Sequence, residues 1–299
     1  MGMSKYSKFV QQIGLLALLT YVGVLVAMYF FQHALIFRDG FGRPDLAKTG
    51  FLMQQISIPA LADDTCWQKN SSGCSAATID LLAWYAPPPQ PDAPTILYLH
   101  GNGGHIGLRR GIARQFLDAG FGLLMLEYRG YGGNAGSASP DGLALDAEAA
   151  WNFLRTQRIA ADKIFIYGES IGGAVAIQML HDRPAIQPAG LILYAPFTTL
   201  QDVVTYLYPW LPVKWLLRYE FDSIGKIAPL RAPLLVMHGG ADKFVPARMG
   251  EAIFNAATSP KELWIERSAN HYTLWEMGAV QRAVEFIRST PRGEIGGGP

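Results

Sequence analysis

The sequence predicts an α/β protein: a mostly parallel sheet with helices on both faces, preceded by one N-terminal transmembrane helix. Three observations predict it. Beyond residue 78, short apolar runs alternate with helical stretches, the pattern of a parallel sheet covered on both sides. Between Phe9 and Phe37 no Asp, Glu, Lys or Arg occurs. Finally, of 299 residues 50% are hydrophobic and only 16% charged, which excludes global disorder. The net charge of +1, from 25 basic and 24 acidic residues, gives no broad attraction to nucleic acid. At ~150 residues per domain the length allows two domains or one large α/β domain. The reading adopted is an anchor over 1–35, a connector over 36–55, one catalytic domain over 56–290 with an insertion at about 197–230, and a disordered, Gly-rich tail over 291–299.

The anchor has its apolar heart at Ile13–Phe31. At 1.5 Å per residue that run is roughly 28 Å long, close to the ~30 Å hydrocarbon core. A cleaved signal peptide has a shorter apolar region of ~7–15 residues and a small-residue cleavage site, and neither fits here. A single-pass anchor in the lipid bilayer is therefore expected. Lys5 and Lys8 before the span nearly balance Arg38 and Arg43 after it, so basic residues do not set its orientation. Cysteines bear on this. Cys66 and Cys74 lie eight positions apart in a loop rich in Ser, Asn and Gly, a spacing that matches no common zinc site. A local disulfide is the simplest reading, and it places the catalytic domain on the extracytoplasmic side.

Along the rest of the chain, Thr78–Tyr85 reads as a strand. Pro87–Pro94, with five prolines, is a turn between strands. Thr95–Leu99, Phe121–Glu127, Lys163–Tyr167, Gly190–Tyr194, Leu234–Met237 and Glu262–Ile265 are buried strands. Helices are expected over Gly107–Ala119, Asp141–Arg158, Ile171–His181, Arg248–Ala257 and Tyr272–Arg288, with Ser139-Pro140 as N-cap and first residue of the second. The alternation breaks between Pro196 and Leu230. There Tyr206–Val213 and Trp215–Leu217 form an aromatic patch, read either as ordinary cap packing or as an apolar lid.

Gly168-Glu169-Ser170-Ile171-Gly172 fits G-x-S-x-G, with a strand before it and a helix after it. That context makes it a nucleophile elbow, in which a strained turn lifts the serine hydroxyl above the sheet edge. Gly168 and Gly172 leave room for the turn. A serine hydroxyl needs a base to take its proton and an acid to orient that base. In the chain order Ser, acid, His, the candidates are Asp242, after the strand LLVM, and His271, the last histidine. Asp222, Glu169 and His181 are weaker rivals by position. Oxyanion donors are expected from the backbone N–H groups of Ile171 and of Asn102, in the loop His100-Gly101-Asn102-Gly103-Gly104. His100 lies upstream of Ser170 and is read as supporting that loop, together with Gly101. Glu127 and Arg129 are read as structural, with Arg129 pairing an acid.

On these residues the chain resembles the membrane-anchored α/β-hydrolase-domain serine hydrolases. The matching segments are His100-Gly101-Asn102, Tyr128-Arg129-Gly130-Tyr131-Gly132, Gly168–Gly173, His238–Asp242 and the late His271, over roughly residues 80–290. The resemblance implies the α/β-hydrolase fold and the triad Ser170, Asp242, His271. Glu127 stands where the family carries Asp, and the Cys66–Cys74 insertion lies outside the family pattern. Some relatives in this branch remove fatty acyl groups from protein cysteines. The expectation is a membrane-anchored enzyme cleaving acyl esters or thioesters through an acyl-enzyme. An acyltransferase or peptidase using the same site, or a non-catalytic scaffold, are the alternatives. No cofactor or metal is implied, because no ligand cluster is visible in the sequence.

Overall fold

The computed structural model describes residues 5–38, 40–67 and 77–291. Helix α1, Lys5–Ile36, is long and apolar enough to cross a membrane, and none of its most apolar stretch is buried inside the protein. A loop and a short 3-10 turn, Leu46–Thr49, lead to strand β1, Gln54–Leu61. Strands β2 (Thr78–Ala86), β3 (Thr95–Leu99), β4 (Gly122–Leu126), β5 (Ile164–Glu169), β6 (Gly190–Tyr194), β7 (Leu234–Gly239) and β8 (Lys261–Glu266) complete an eight-stranded sheet of order β1-β2-β4-β3-β5-β6-β7-β8. The β1–β2 and β2–β4 pairs are antiparallel and the other pairs are parallel.

β3 to β7 are buried along their length except for the half-buried Glu169 that ends β5, as strands covered on both faces must be. Successive side chains alternate between two cores. Leu97 and Leu99 face the side holding helices α3 (Pro140–Thr156), α4 (Ile171–Asp182) and α8 (Ala247–Ala256). Ile96 and Tyr98 face α2 (Arg110–Asp118) and α9 (Val280–Ser289). Ser139 caps α3 by accepting the Gly142 N–H at 3.0 Å, with Pro140 in the first turn, as the sequence indicated. The insertion folds as three short helices, α5 (Leu200–Leu207), α6 (Val213–Leu216) and α7 (Ser223–Lys226).

Three details differ from the sequence reading. β1 was unforeseen and begins two residues before the expected domain start. The helix expected from Gly107 opens as a 3-10 turn, Ile106–Arg109, before α2. The final helix does not run from Tyr272: a wide turn at Trp275–Ala279, with Gly278 at φ 102°, precedes α9. Cys66 is fully buried and disulfide-bonded, while Cys74, its expected partner, lies outside the described residues, as does the tail from residue 292.

Candidate active site

Strand order reverses at β3, which has β4 on one side and β5 on the other. Ligands in open α/β sheets bind at such a point, outside the carboxyl ends of the strands. β3 and β5 are neighbours with Leu99 opposite Gly168, so the loop leaving β3 and the turn leaving β5 emerge side by side. β7 and β8 are likewise neighbours, with His238 opposite Ile265, so Asp242 and His271 leave adjacent strands.

Ser170 is the turn between β5 and α4 and has φ 51°, a left-handed backbone unusual for a residue with a side chain. Glycine is required around it by contact. A Cβ on Gly172 would stand 2.1 Å from the Leu99 carbonyl oxygen, and one on Gly168 would stand 2.5 Å from the Gly173 Cα. The motif is thus the sequence that lets β5, α4 and β3 approach this closely. Its serine is held by backbone alone: Ser170 N–H donates to Tyr194 O at 2.8 Å, and its hydroxyl makes no hydrogen bond among the described residues.

Asp242 uses both carboxylate oxygens. Oδ1 accepts the N–H groups of Phe244 and Val245, each at 2.8 Å. Oδ2 lies 2.6 Å from His271 Nδ1 and 3.6 Å from His238 Nε2. Burial alone would raise its pKa. Hydrogen bonding from His238 and His271, the charge of His271 and the backbone donors outweigh burial and hold the carboxyl well below the ordinary carboxylate range. The loops carrying the pair are joined directly, with Ala241 N–H donating to Ala269 O at 2.9 Å. A Cβ on Gly239 would stand 2.4 Å from that same oxygen, which explains the glycines of the HGGAD turn. The Asn270 carboxamide oxygen accepts the N–H groups of Tyr272 and Thr273, and the Tyr194 hydroxyl donates to His271 O at 3.2 Å, which fixes the histidine's backbone.

The β3 loop is held as firmly. His100 is fully buried, with Nδ1 2.8 Å from Gly101 O and Nε2 3.3 Å from the buried Glu127 carboxylate. Arg129 pairs with Asp146 at 2.7 Å, the acid partner its position called for. The Asn102 side chain reaches the chain leaving α1: Nδ2 donates to Ile36 O at 2.5 Å, and Oδ1 accepts Arg38 N–H at 3.0 Å and the Tyr131 hydroxyl at 2.9 Å. The backbone N–H groups of Asn102 and Ile171 donate to no group among the described residues. The Ile171 N–H is one of the unsatisfied donors that open a helix.

Sequence reasoning missed Arg109. It pairs with Glu169 at 2.9 Å and donates to Gly103 O at 2.8 Å and Gly101 O at 3.4 Å, which links elbow and loop. Tyr98 donates to the same glutamate at 2.5 Å. Burial raises the Glu169 pKa, but the charge and hydrogen bonds of Arg109 and Tyr98 bring it down to about 2. Glu169 lies 60 positions away in the chain, and no spacing in the sequence pairs the two. His238 was seen as a motif residue, but its place beside Asp242 was not. The rivals are occupied elsewhere: Asp222 caps α7 through Gly225 N–H at 2.8 Å, and His181 meets Asp182 at 2.7 Å.

Ser170, His271 and Asn102 line one cavity of about 420 Å³, together with Arg38, Phe41, Leu108, Ile112, Phe244, Tyr272 and Trp275. Arg109 and Glu169 also line it, so its walls mix apolar side chains with polar and charged ones. None of the cap residues 200–226 lines it, so the cap is not a lid over the cavity in this structure. A larger cleft of about 540 Å³, bordered by Asp64, Ser139 and Glu220, contains none of the three candidate triad residues. Among the described residues no group of three or more His, Cys, Asp or Glu side chains could hold a metal ion.

Comparison with known proteins bears on the family and the fold. The sequence pattern of the family described as Serine aminopeptidase, S33, matches residues 90–226. An uncharacterized protein of Mycobacterium tuberculosis is 40% identical over 193 residues, 64% of this chain and 68% of that protein. The α/β hydrolase domain-containing protein WAV2 of Arabidopsis thaliana is 30% identical over 86% of this chain and 85% of its own length. The lysophosphatidylserine lipase ABHD12 of Danio rerio is 30% identical over 60% of this chain, which spans about half (51%) of that lipase. Among solved structures, an esterase of Pyrococcus furiosus superposes with a TM-score of 0.66 at 17% identity, over 85% of this chain and all of the esterase.

Proposed function

We propose that this chain, which belongs to the α/β-hydrolase-domain family, is a membrane-anchored serine hydrolase of acyl esters or thioesters. The observation that carries the reading is the 2.6 Å contact between His271 Nδ1 and Asp242 Oδ2, made at the rim of the cavity that Ser170 also lines. With Nδ1–H donated to the carboxylate, Nε2 is left to accept the serine proton. Ser170 Oγ then attacks the substrate carbonyl carbon and its proton passes to His271. The oxyanion formed is received by the N–H groups of Ile171 and Asn102, donors worth about 3 kcal/mol each in comparable sites. The intermediate collapses, His271 protonates the departing alcohol or thiol, and water repeats the sequence on the acyl-enzyme. Ser170 and His271 line the same cavity, and hydrogen bonds of this kind commonly tighten only when substrate binds.

The aromatic and aliphatic side chains on the cavity wall, among them Phe41, Leu108, Ile112, Phe244 and Trp275, offer an acyl chain an apolar surface. The relative that hydrolyses a lysophospholipid and the structural neighbours that are esterases point to the same chemistry. Helix α1 has the length of a membrane span, and the disulfide at Cys66 favours a non-cytosolic face for the domain.

The test is fluorophosphonate labelling of wild type and Ser170→Ala, followed by hydrolysis of acyl esters of increasing chain length. Labelling is expected in the wild type and absent in S170A. Equal labelling of both would overturn the assignment of the nucleophile.

A further inference from the structure

We propose that the aromatic rim of the cap, Tyr208, Trp210 and Trp215, is seated in the lipid bilayer beside α1, so that the catalytic domain is docked onto the membrane surface. The proposal rests on the reading of α1 as a membrane span and deepens it.

One face of α1 is turned toward the cap. Leu25 and Met28 are half-buried and Gln32 is buried, while the remaining residues from 9 to 31 are almost all exposed. Positions 21, 25, 28 and 32 repeat at the spacing of a single helical stripe. Contacts along this stripe are specific. The Tyr21 hydroxyl donates to Trp210 O at 3.0 Å, with the two rings 6.3 Å apart. The Gln32 carboxamide donates to Leu216 O at 3.2 Å and accepts Arg218 N–H at 2.8 Å. The Arg218 guanidinium lies 5.0 Å over the Tyr29 ring. The cap segment 210–218 therefore runs along the helix, from the level of Tyr21 at one end to that of Gln32 at the other.

Depth follows from the sequence. The uncharged run from Phe9 to Phe37 is longer than the ~20 residues a bilayer core requires. Every window of ~20 residues placed within that run contains Tyr21 and ends at Met28 or later. Tyr21 is then at least about seven residues, or ~10 Å, inside the hydrocarbon boundary nearer the catalytic domain. Trp210, bonded to Tyr21, cannot be far above it. The surface of the cap fits this depth. Trp215 is 81% exposed, Trp210 53% and Tyr208 46%. Between Tyr206 and Leu217 the only charge is Lys214, whose long stem lets its ammonium reach the headgroups. Arg218 and Tyr29 lie together nearer the boundary, where Arg and Tyr are favoured. If the cap stood off the membrane instead, Gln32 would lose its Leu216 and Arg218 partners at the bilayer edge.

Docking has a consequence for the substrate. Arg38 and Phe41, at the edge of the active-site cavity, are two and five residues beyond the end of α1. The cavity is thus brought to the bilayer surface, and an amphiphile with an acyl chain can enter it directly from the lipid.

The test uses full-length protein in phosphatidylcholine nanodiscs, with a nitroxide at one introduced cysteine. Cys66 is buried and disulfide-bonded, so it does not compete for label. Four variants are compared: W215C and W210C in the cap, Leu19→Cys in α1, and Gln90→Cys in the turn before β3, at the end of that strand opposite the active site. Each is first shown to retain fluorophosphonate labelling. Labels at 210 and 215 are expected to collide with oxygen as the one at 19 does, and to be several-fold less accessible than the one at 90 to a water-soluble nickel chelate. A label at 19 shielded in lipid, with those at 210 and 215 as chelate-accessible as the one at 90, would overturn the proposal. A label at 19 that meets the chelate freely would overturn the membrane-span reading itself.

Discussion

Glu169 occupies the variable position of the elbow motif, yet it is one of the most constrained acids in the molecule. Its carboxylate accepts from Tyr98 and Arg109, and that arginine also holds the carbonyls of Gly101 and Gly103. The pKa of about 2, against an ordinary 4.5, gives the sign of its effect on stability. The folded value is depressed, so the stabilisation is fully present above the ordinary value and is lost as pH falls from about 4.5 toward 2. Linkage puts its size on the order of 3 kcal/mol. Thermal unfolding of wild type and Glu169→Gln across that window should show the wild type losing stability more steeply. Parallel curves would mean that the ion pair contributes nothing. Asp242 titrates in the same acid range in both proteins, so the difference between them isolates Glu169.

At the scale of elements, the elbow joins three pieces of backbone: the end of β3, the end of β5 and the start of α4. Alanine is normally favoured over glycine inside a helix by about 1 kcal/mol. Gly172→Ala should nevertheless destabilise the protein by about 3 kcal/mol, near the top of the overpacking range, because the new methyl would press on the Leu99 carbonyl rather than on a flexible side chain. It should also abolish labelling of Ser170. Gly173→Ala, whose Cβ would meet Leu193 Cδ2 at 3.3 Å and the Gly168 carbonyl oxygen at 3.4 Å, should be milder in both denaturant midpoint and labelling. If the two variants behave alike, close approach is not what the motif requires. The central strands and this turn were legible because each carries a local signal: an apolar run, a G-x-S-x-G, an N-cap followed by proline. β1 carried a weaker one. Ile56, Ile58 and Ala60 turn inward and Ser57 and Pro59 outward, but the run is short and Pro59 sits inside it, which a central strand would not tolerate. It exists because it is an edge strand, paired with β2 alone, so that tertiary contact supplies what its own sequence lacks. The break before α9 was hidden for the opposite reason: Trp275–Ala279 reads as helix, and Met277 and the left-handed Gly278 interrupt it. In the site, Ser170 was named from its G-x-S-x-G turn, and Asp242 and His271 from chain order. Arg109 and the carboxamide bridge of Asn102 were not, because both act across the fold between segments whose adjacency no spacing encodes.

For the whole molecule, the decisive feature is that the N-terminal helix does not end where the catalytic domain begins. Phe37 is 1% exposed and packs edge-on against Tyr219, 5.1 Å between ring centroids, and against Phe221 at 6.4 Å. His33 meets Ser137 at 2.9 Å. Asn102, on the loop that carries a proposed oxyanion donor, grips Ile36 and Arg38 on either side of Phe37. An anchor that merely tethers would show none of these contacts, and the domain would unfold independently of it. Here the helix exit is part of the core, so Phe37→Ala should cost about 3–5 kcal/mol, the usual range for removing a buried phenylalanine. For a domain of this size that corresponds to a fall in Tm on the order of 10 °C. Thermal unfolding of the full-length protein in detergent, followed by tryptophan fluorescence, measures it. A Tm within a degree or two of wild type would show that α1 and the hydrolase domain are separable. A large fall, with Ser170 labelling retained below the transition, would show that the exit of α1 is built into the fold that holds the site.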